Sequence, residues 1–342
     1  MAIHVMTTVW LHSHGDIAVK TALSKAPVIE GMIEIILNAD PELDIFTKLF
    51  KSSSLFLKAA TLLYLVKPKA KHLISTEWVP LVLRVLEFGD QMQTLFDVLC
   101  IPQEAAYYLL DQLLTGFDED KNWENARQVV ALGRLSLLAK RMEIRDVSEK
   151  CNVGAMICCC IRADGSCRHY LALNLNKESV ISLVLEKNID YNNHAFALLT
   201  ELLCLQRTSV TKFLNELMNG WSSLNTMQIL LIYLQKAQPE QRPMIATTIF
   251  QLDLLEDPLK CSIYREEAIE AITTALESHT NEKVQEQLAR TLLILGGRFS
   301  HTGGPTTENW LLKEAGFDES LRESRCTIIE GVKVVQSVLL PV

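Results

Sequence analysis

The residues best equipped for chemistry are the thiols of the middle third: Cys151, the run Cys158-Cys159-Cys160, and Cys167 with His169 close behind. A structural zinc site needs four converging ligands, usually supplied as C-x2-4-C pairs on loops. This spacing does not provide them, so the cysteines are expected to act as small core hydrophobes. His4, His12 and His14 form a second group near the N-terminus, without a fourth ligand at a sensible distance. The glycines 296, 297, 303 and 304, with Arg298 beside them, have the makings of an anion cradle. No Lys-Ser/Thr follows them, and a plain loop is the expectation. Asp118 to Lys121 lacks the alternating carboxylates of a calcium loop and is expected to be an acidic surface turn. No G-x-S-x-G, H-E-x-x-H or G-x-x-x-x-G-K-[ST] pattern occurs. Neither a catalytic residue, a metal ligand nor a cofactor is assigned.

One basic cluster remains. Arg127, Arg134, Lys140 and Arg141 lie on the segment Asn125–Glu143, expected to be one helix bent at Gly133. Their plain role is a solvated face; their sharper one is a groove for a protein partner.

The elements that would carry these residues follow from a repeated phrase. Ala195 is followed at the third and fourth positions by Leu198 and Leu199, which places all three on one helical face. The phrase returns at Ala59 (Leu62, Leu63), Ala106 (Leu109, Leu110), Ala155 (Cys158, Cys159), Ala246 (Ile249, Phe250) and Ala289 (Leu292, Leu293). The separations are 47, 49, 40, 51 and 43 residues. That period belongs to stacked helical repeats of the armadillo and HEAT type. The expected fold is an all-α, right-handed α-solenoid whose units bury apolar faces only against their neighbours and leave a surface for partners.

Organisation along the chain is expected as follows. Residues 1–26 form a poorly defined N-terminal segment, and 27–297 hold the armadillo-like repeats. Residues 298–325 form a glycine-rich loop with a short capping helix from Thr307. Residues 326–342 are an atypical apolar tail, and an exposed apolar end of this kind invites self-association. Residues 91–102 are expected to be an irregular insert.

Bulk properties narrow the function. Of 342 residues, 49% are hydrophobic and 7% aromatic, which suits Leu/Ile/Ala helices buried on several sides. The net charge of −8 argues against nucleic acid as the main partner. No apolar run approaches the ~18 residues of a membrane span. Nine cysteines, three of them consecutive, point to a reducing compartment rather than a disulfide scaffold, hence to an intracellular protein, cytoplasmic or nuclear.

Longer strings are more specific. ENARQVVALGRLSLLAKRME, IRADGSCRHYLA, QPEQRPMIATTIFQLDLL and LILGGRFSHTGGPTTENWLLKEAGF resemble the armadillo-like region of the LIN/CERBERUS family of plant U-box/WD-repeat ubiquitin ligases. The resemblance covers roughly residues 27–325. It implies a non-catalytic scaffold that presents a partner or substrate for ubiquitination in symbiotic signalling. In that family a U-box precedes this region and WD repeats follow it. No C-P-I…D-P-V arrangement occurs in this sequence, and none of its five tryptophans is followed by Asp. The resemblance therefore implies the middle segment of a ligase or a truncated product. Arg134 is a departure, since armadillo repeats usually carry a small residue there. A ubiquitin-independent adaptor or cargo-binding solenoid is the alternative.

Overall fold

The computed structural model describes residues 16–37, 101–186, 189–220, 226–256, 262–277, 281–297 and 299–306, with a few scattered positions besides. Among the described residues the chain is helical, with an isolated antiparallel bridge between Phe299 and Pro305. Two compact units divide it, Met1–Leu138 and Ala139–Val342.

In the first unit, α1 spans Ile17–Leu23 and α2 spans Ala26–Leu37. Asp16 caps α1 by accepting the Ala18 N–H. Pro27 sits in the first turn of α2, where its missing N–H costs nothing, and Ile29, Met32 and Ile33 are buried. Between residues 54 and 87 only a few positions are described; Leu62, Leu63, Val79, Val82, Leu83 and Leu86 are helical and fully or nearly fully buried. The helix α3 spans Ile101–Thr115 and buries Ala106, Leu109, Leu110, Leu113 and Leu114 as the phrase requires. It starts inside the expected irregular insert, whose residues 91–100 lie outside the described ones.

The expected acidic turn Asp118–Lys121 is instead a helix start. Asp118 caps α4 (Glu119–Ala131) through the Lys121 N–H, with Glu119 and Asp120 in the first turn beside the positive end of the helix dipole. The helix anticipated over Asn125–Glu143 is two helices. Gly133 takes φ 68°, a left-handed value that ends α4 and re-aims the chain into α5 (Leu135–Arg141). Buried Asn125 donates to the Leu113 carbonyl at 2.7 Å, and Tyr107 donates to the Leu137 carbonyl at 3.1 Å, which ties α4 and the start of α5 to α3.

The second unit begins within α5. It continues through α6 (Val147–Ala163), a 3-10 turn (Gly165–Cys167), α7 (Arg168–Asn174) and α8 (Lys177–Val184). After these come α9 (Ile189–Leu203), α10 (Arg207–Gly220), α11 (Thr226–Lys236), α12 (Arg242–Glu256), α13 (Ile263–Glu277) and α14 (Glu282–Gly296). The four helices that carry the phrase pack in succession: α6 on α9, α9 on α12, and α12 on α14. The remaining helices flank this series, with α8 against α9, α11 against α12, and α13 against both α12 and α14. This is the all-α, armadillo-like arrangement that the phrase spacing anticipates.

The phrase itself holds fully at Ala195, Leu198 and Leu199, all with 0% exposure. It slips by one residue in two helices. In α6, Ala155 and Cys159 are only half-buried, while Gly154, Ile157 and Cys158 face the core. A Cβ on Gly154 would meet Leu198 at 3.8 Å, so glycine is the small residue at which α9 approaches. In α14 the buried stripe is Val284, Leu288, Thr291 and Ile294, and Leu292 is exposed. Small and larger apolar residues stand side by side in both helices, Gly154 beside Ala155 in α6 and Leu288 beside Ala289 in α14, and packing decides between the adjacent registers.

Candidate functional site

The chemically distinctive place in the second unit is a buried carboxylate held by three guanidinium groups. Glu201 lies on the apolar side of α9, with its side chain 1% exposed. Arg162, near the end of α6, donates from Nε to Oε1 at 2.8 Å. Arg168, the first residue of α7, donates from Nη2 to Oε2 at 3.3 Å. Arg290, on the inner side of α14, donates from Nη2 to Oε1. Burial by itself would raise the Glu201 carboxyl, but Arg290 foremost, then Arg162 and Arg168, outweigh it and hold it below the ordinary glutamate value. The carboxylate stays ionised.

Arg168 carries the cluster outward. Its Nη1 donates to the Thr302 carbonyl at 2.9 Å, in the loop that follows α14. That loop is a small closed turn: Ser300 N–H donates to Gly304 O at 2.8 Å, and Gly303 N–H donates to Ser300 O at 3.0 Å. Gly303 has φ 83°, and a Cβ there would fall 1.6 Å from Arg168 Nη1 and 2.7 Å from the Cys204 carbonyl. Glycine is needed both for the backbone conformation and for the space. The neighbouring His301 ring lies 4.7 Å from that of His169 on α7. The glycine-rich segment is thus a strap seated on Arg168, as its plain-loop expectation allows, and Gly303 makes room for a guanidinium of the same chain.

Cys158, Cys167 and Cys204 lie near this cluster, and they and the other buried thiols are quiet. Burial pushes Cys151 up to about 11 and both Cys158 and Cys167 up to about 12, and it raises Cys160 and Cys204 as well. A thiol so displaced is protonated at neutral pH, whereas nucleophiles and metal ligands are thiolates. Among the described residues no group of three or more His, Cys, Asp or Glu side chains is placed to hold a metal ion.

The four basic residues singled out from the sequence fall in both units. Arg127 on α4 is exposed. Arg134, in the turn after α4, pairs with Glu87 at 2.7 Å, both side chains about two-fifths exposed. Lys140 on α5 is exposed, and its neighbour Arg141 pairs with Glu149 at 2.6 Å in a much less exposed setting. The Arg134 pair accounts for a long side chain at the turn.

Sequence reasoning missed Glu201 and its partners, although a signal was present. A lone carboxylate inside AFALLTELLCL, if buried in its ionised form, needs a cation beside it, and that was the only hint of a buried Arg or Lys. Nothing in the spacing says which, because the partners lie 39, 33 and 89 residues away.

Fold and site together define a helical-repeat protein whose buried ion cluster locks helices to one another. Residues 112–336 match the family model described as the ARM-like domain of the putative E3 ubiquitin-protein ligase LIN, and residues 32–111 match the ARM repeat of LIN-like E3 ubiquitin-protein ligases. The chain belongs to this LIN armadillo-like family. It is 31% identical over 290 residues to putative E3 ubiquitin-protein ligase LIN-2 of Lotus japonicus, covering 85% of this chain and 19% of that protein. It is 28% identical over 348 residues to putative E3 ubiquitin-protein ligase LIN of Medicago truncatula, covering 93% of this chain and 23% of that protein. The chain therefore spans about a fifth of the length of these relatives. A designed armadillo repeat protein overlays on it with a TM-score of 0.39 at 15% identity, over 77% of this chain and all of that one, a distant likeness that adds nothing to the family match. No described helix is long and apolar enough to cross a membrane.

Proposed function

We propose that this chain serves as the interaction scaffold of a LIN-type ubiquitin ligase, holding a protein partner or substrate for ubiquitination within the cell, in plant symbiotic signalling. The observation that carries this is the family match, which runs almost continuously from residue 32 to 336. The site chemistry agrees with it: the buried charges are spent on joining helices, and Cys151, Cys158, Cys160, Cys167 and Cys204 are held protonated. Stacked helical repeats build extended surfaces for partners, and that is their usual employment. Arg127, Arg134, Lys140 and Arg141 remain the proposed partner-contacting residues. Arg127 and Lys140 are the more exposed of the four, while Arg134 and Arg141 are engaged with Glu87 and Glu149.

The test is a reconstituted ubiquitination assay. The purified chain with ubiquitin, activating enzyme and conjugating enzyme is expected to build no chains. A LIN-type ligase from which the matching segment is deleted is expected to keep self-ubiquitination and to lose modification of its target, with this chain restoring it when grafted back. Chain assembly by the isolated protein would contradict the proposal, and so would full target modification without the segment.

A further inference from the structure

The outward side of α13 combines exposed apolar residues with a single sign of charge. Its inner side buries Ala268, Ile272 and Ala275. Its outer side shows Ile263 at 61% exposure, Ile269 at 47% and Leu276 at 44%. Ile269 and Leu276 are seven residues apart, two helical turns on one face, with Thr273 between them. Around this seam stand Glu266, Glu270 and Glu277, all exposed, and Glu282 at the start of α14.

The charge imbalance has a structural cause. Two of the three cations between 263 and 297 are turned inward. Arg265 is bound to buried Asp253 of α12, at 2.7 Å through both Nε and Nη2. Arg290 is bound to buried Glu201 of α9. What remains exposed on α13 and α14 is four glutamates, Glu266, Glu270, Glu277 and Glu282, and one lysine, Lys283, while Glu267 and Glu286 are half-buried. A helix face with two apolar anchors and an acidic rim is complementary to an amphipathic helix whose apolar seam is rimmed by Lys or Arg.

The chain's own later residues lack that chemistry. Residues 326–342 carry one Glu and one Lys, and residues 307–325 carry five carboxylates against three cations. We infer that the outer face of α13 docks a basic amphipathic helix from another protein, with Ile269 and Leu276 as anchors and Glu270 and Glu277 flanking them. This rests on the scaffold role proposed above and assigns it a surface and a partner class.

The experiment is direct binding to the full chain by fluorescence anisotropy, without any ubiquitin enzyme, so that its failure leaves the ligase-scaffold proposal to its own assay. The probe is a synthetic helical peptide of about 18 residues with two leucines seven apart and flanking lysines. Controls are the same peptide with glutamates for lysines, and a peptide of sequence 326–342. The basic peptide is expected to bind, and to weaken several-fold between about 50 and about 500 mM salt. Glu270→Lys with Glu277→Lys is expected to weaken it about tenfold or more, as opposed charges across an interface are replaced by like ones. Ile269→Ser with Leu276→Ser is expected to weaken it about tenfold through lost apolar burial. Both pairs are exposed, and unchanged circular dichroism and melting show that folding is intact. Equal binding of the acidic peptide, tighter binding of the 326–342 peptide, or indifference to both pairs of substitutions overturns the inference.

Discussion

Glu201 and the glutamates of α13 are the same residue type in one unit, put to opposite uses. Glu201 is 1% exposed and surrounded by Arg162, Arg168 and Arg290. Glu270 and Glu277 are exposed beside apolar side chains. The first arrangement costs desolvation and returns a joint between α6, α7, α9 and α14. The second costs almost nothing to the fold and leaves charge available for recognition. Burial decides the role, and the inward turn of Arg290 contributes to both: it supplies the joint and strips a cation from the outer surface.

Removing charge from the joint should have the largest effect. Glu201→Gln keeps the shape and leaves three guanidinium groups around a neutral amide. Breaking a buried ion pair in this way costs about 3–5 kcal/mol. Chemical denaturation should show the midpoint falling with little change in slope.

Acid should reproduce part of that loss in the unaltered protein. The Glu201 carboxyl is held below its ordinary value, so its contribution is complete above the unfolded glutamate range, near ~4.3, and fades as pH falls through the lower folded value. A stability profile from pH 7 downward should therefore be steeper for the parent than for Glu201→Gln below about pH 4. Parallel profiles would mean the carboxylate is not the group responsible.

Loosening the strap should cost less. Gly303→Ala places a Cβ on Arg168 Nη1 and strains a left-handed residue, for an expected loss of about 1–3 kcal/mol. Hydrogen exchange should show faster opening in 299–306 and at the start of α7, with α12 unaffected. A uniform change across the unit would argue against a local strap.

The smallest effect is expected at the open ion pair of the first unit. Arg134→Ala removes a contact to Glu87 between two side chains about two-fifths exposed, worth about 0–1 kcal/mol and weaker still in salt. A loss comparable to that of Glu201→Gln would erase the distinction between buried and open pairs.

Much of the helical framework was legible because each helix needs an apolar face and the faces recur at a repeat period. Ala106, Ala195 and Ala246 are fully buried at the predicted positions. Capping is harder to read: the acidic run from Asp118 has the composition of a surface turn, yet Asp118 begins a helix. Gly133 reads as a bend in the sequence, and its positive φ makes it a terminator. The one-residue slips at Gly154 and Leu288 could not be seen, since neighbouring small and large apolar residues satisfy two registers equally. The expected capping helix from Thr307 and the tail lie outside the described residues. For the candidate site, the buried carboxylate was visible as an anomaly in an apolar run. Its partners were not, because ion pairs that close over 33 to 89 residues depend on the completed fold.

The urea midpoint of Glu201→Gln, measured at neutral pH beside that of Glu270→Lys with Glu277→Lys, tests the division of labour most directly. The account predicts a drop equivalent to about 3–5 kcal/mol for the first protein and a midpoint within about 0.5 kcal/mol of the parent for the second. Equal midpoints for the two variants would contradict it.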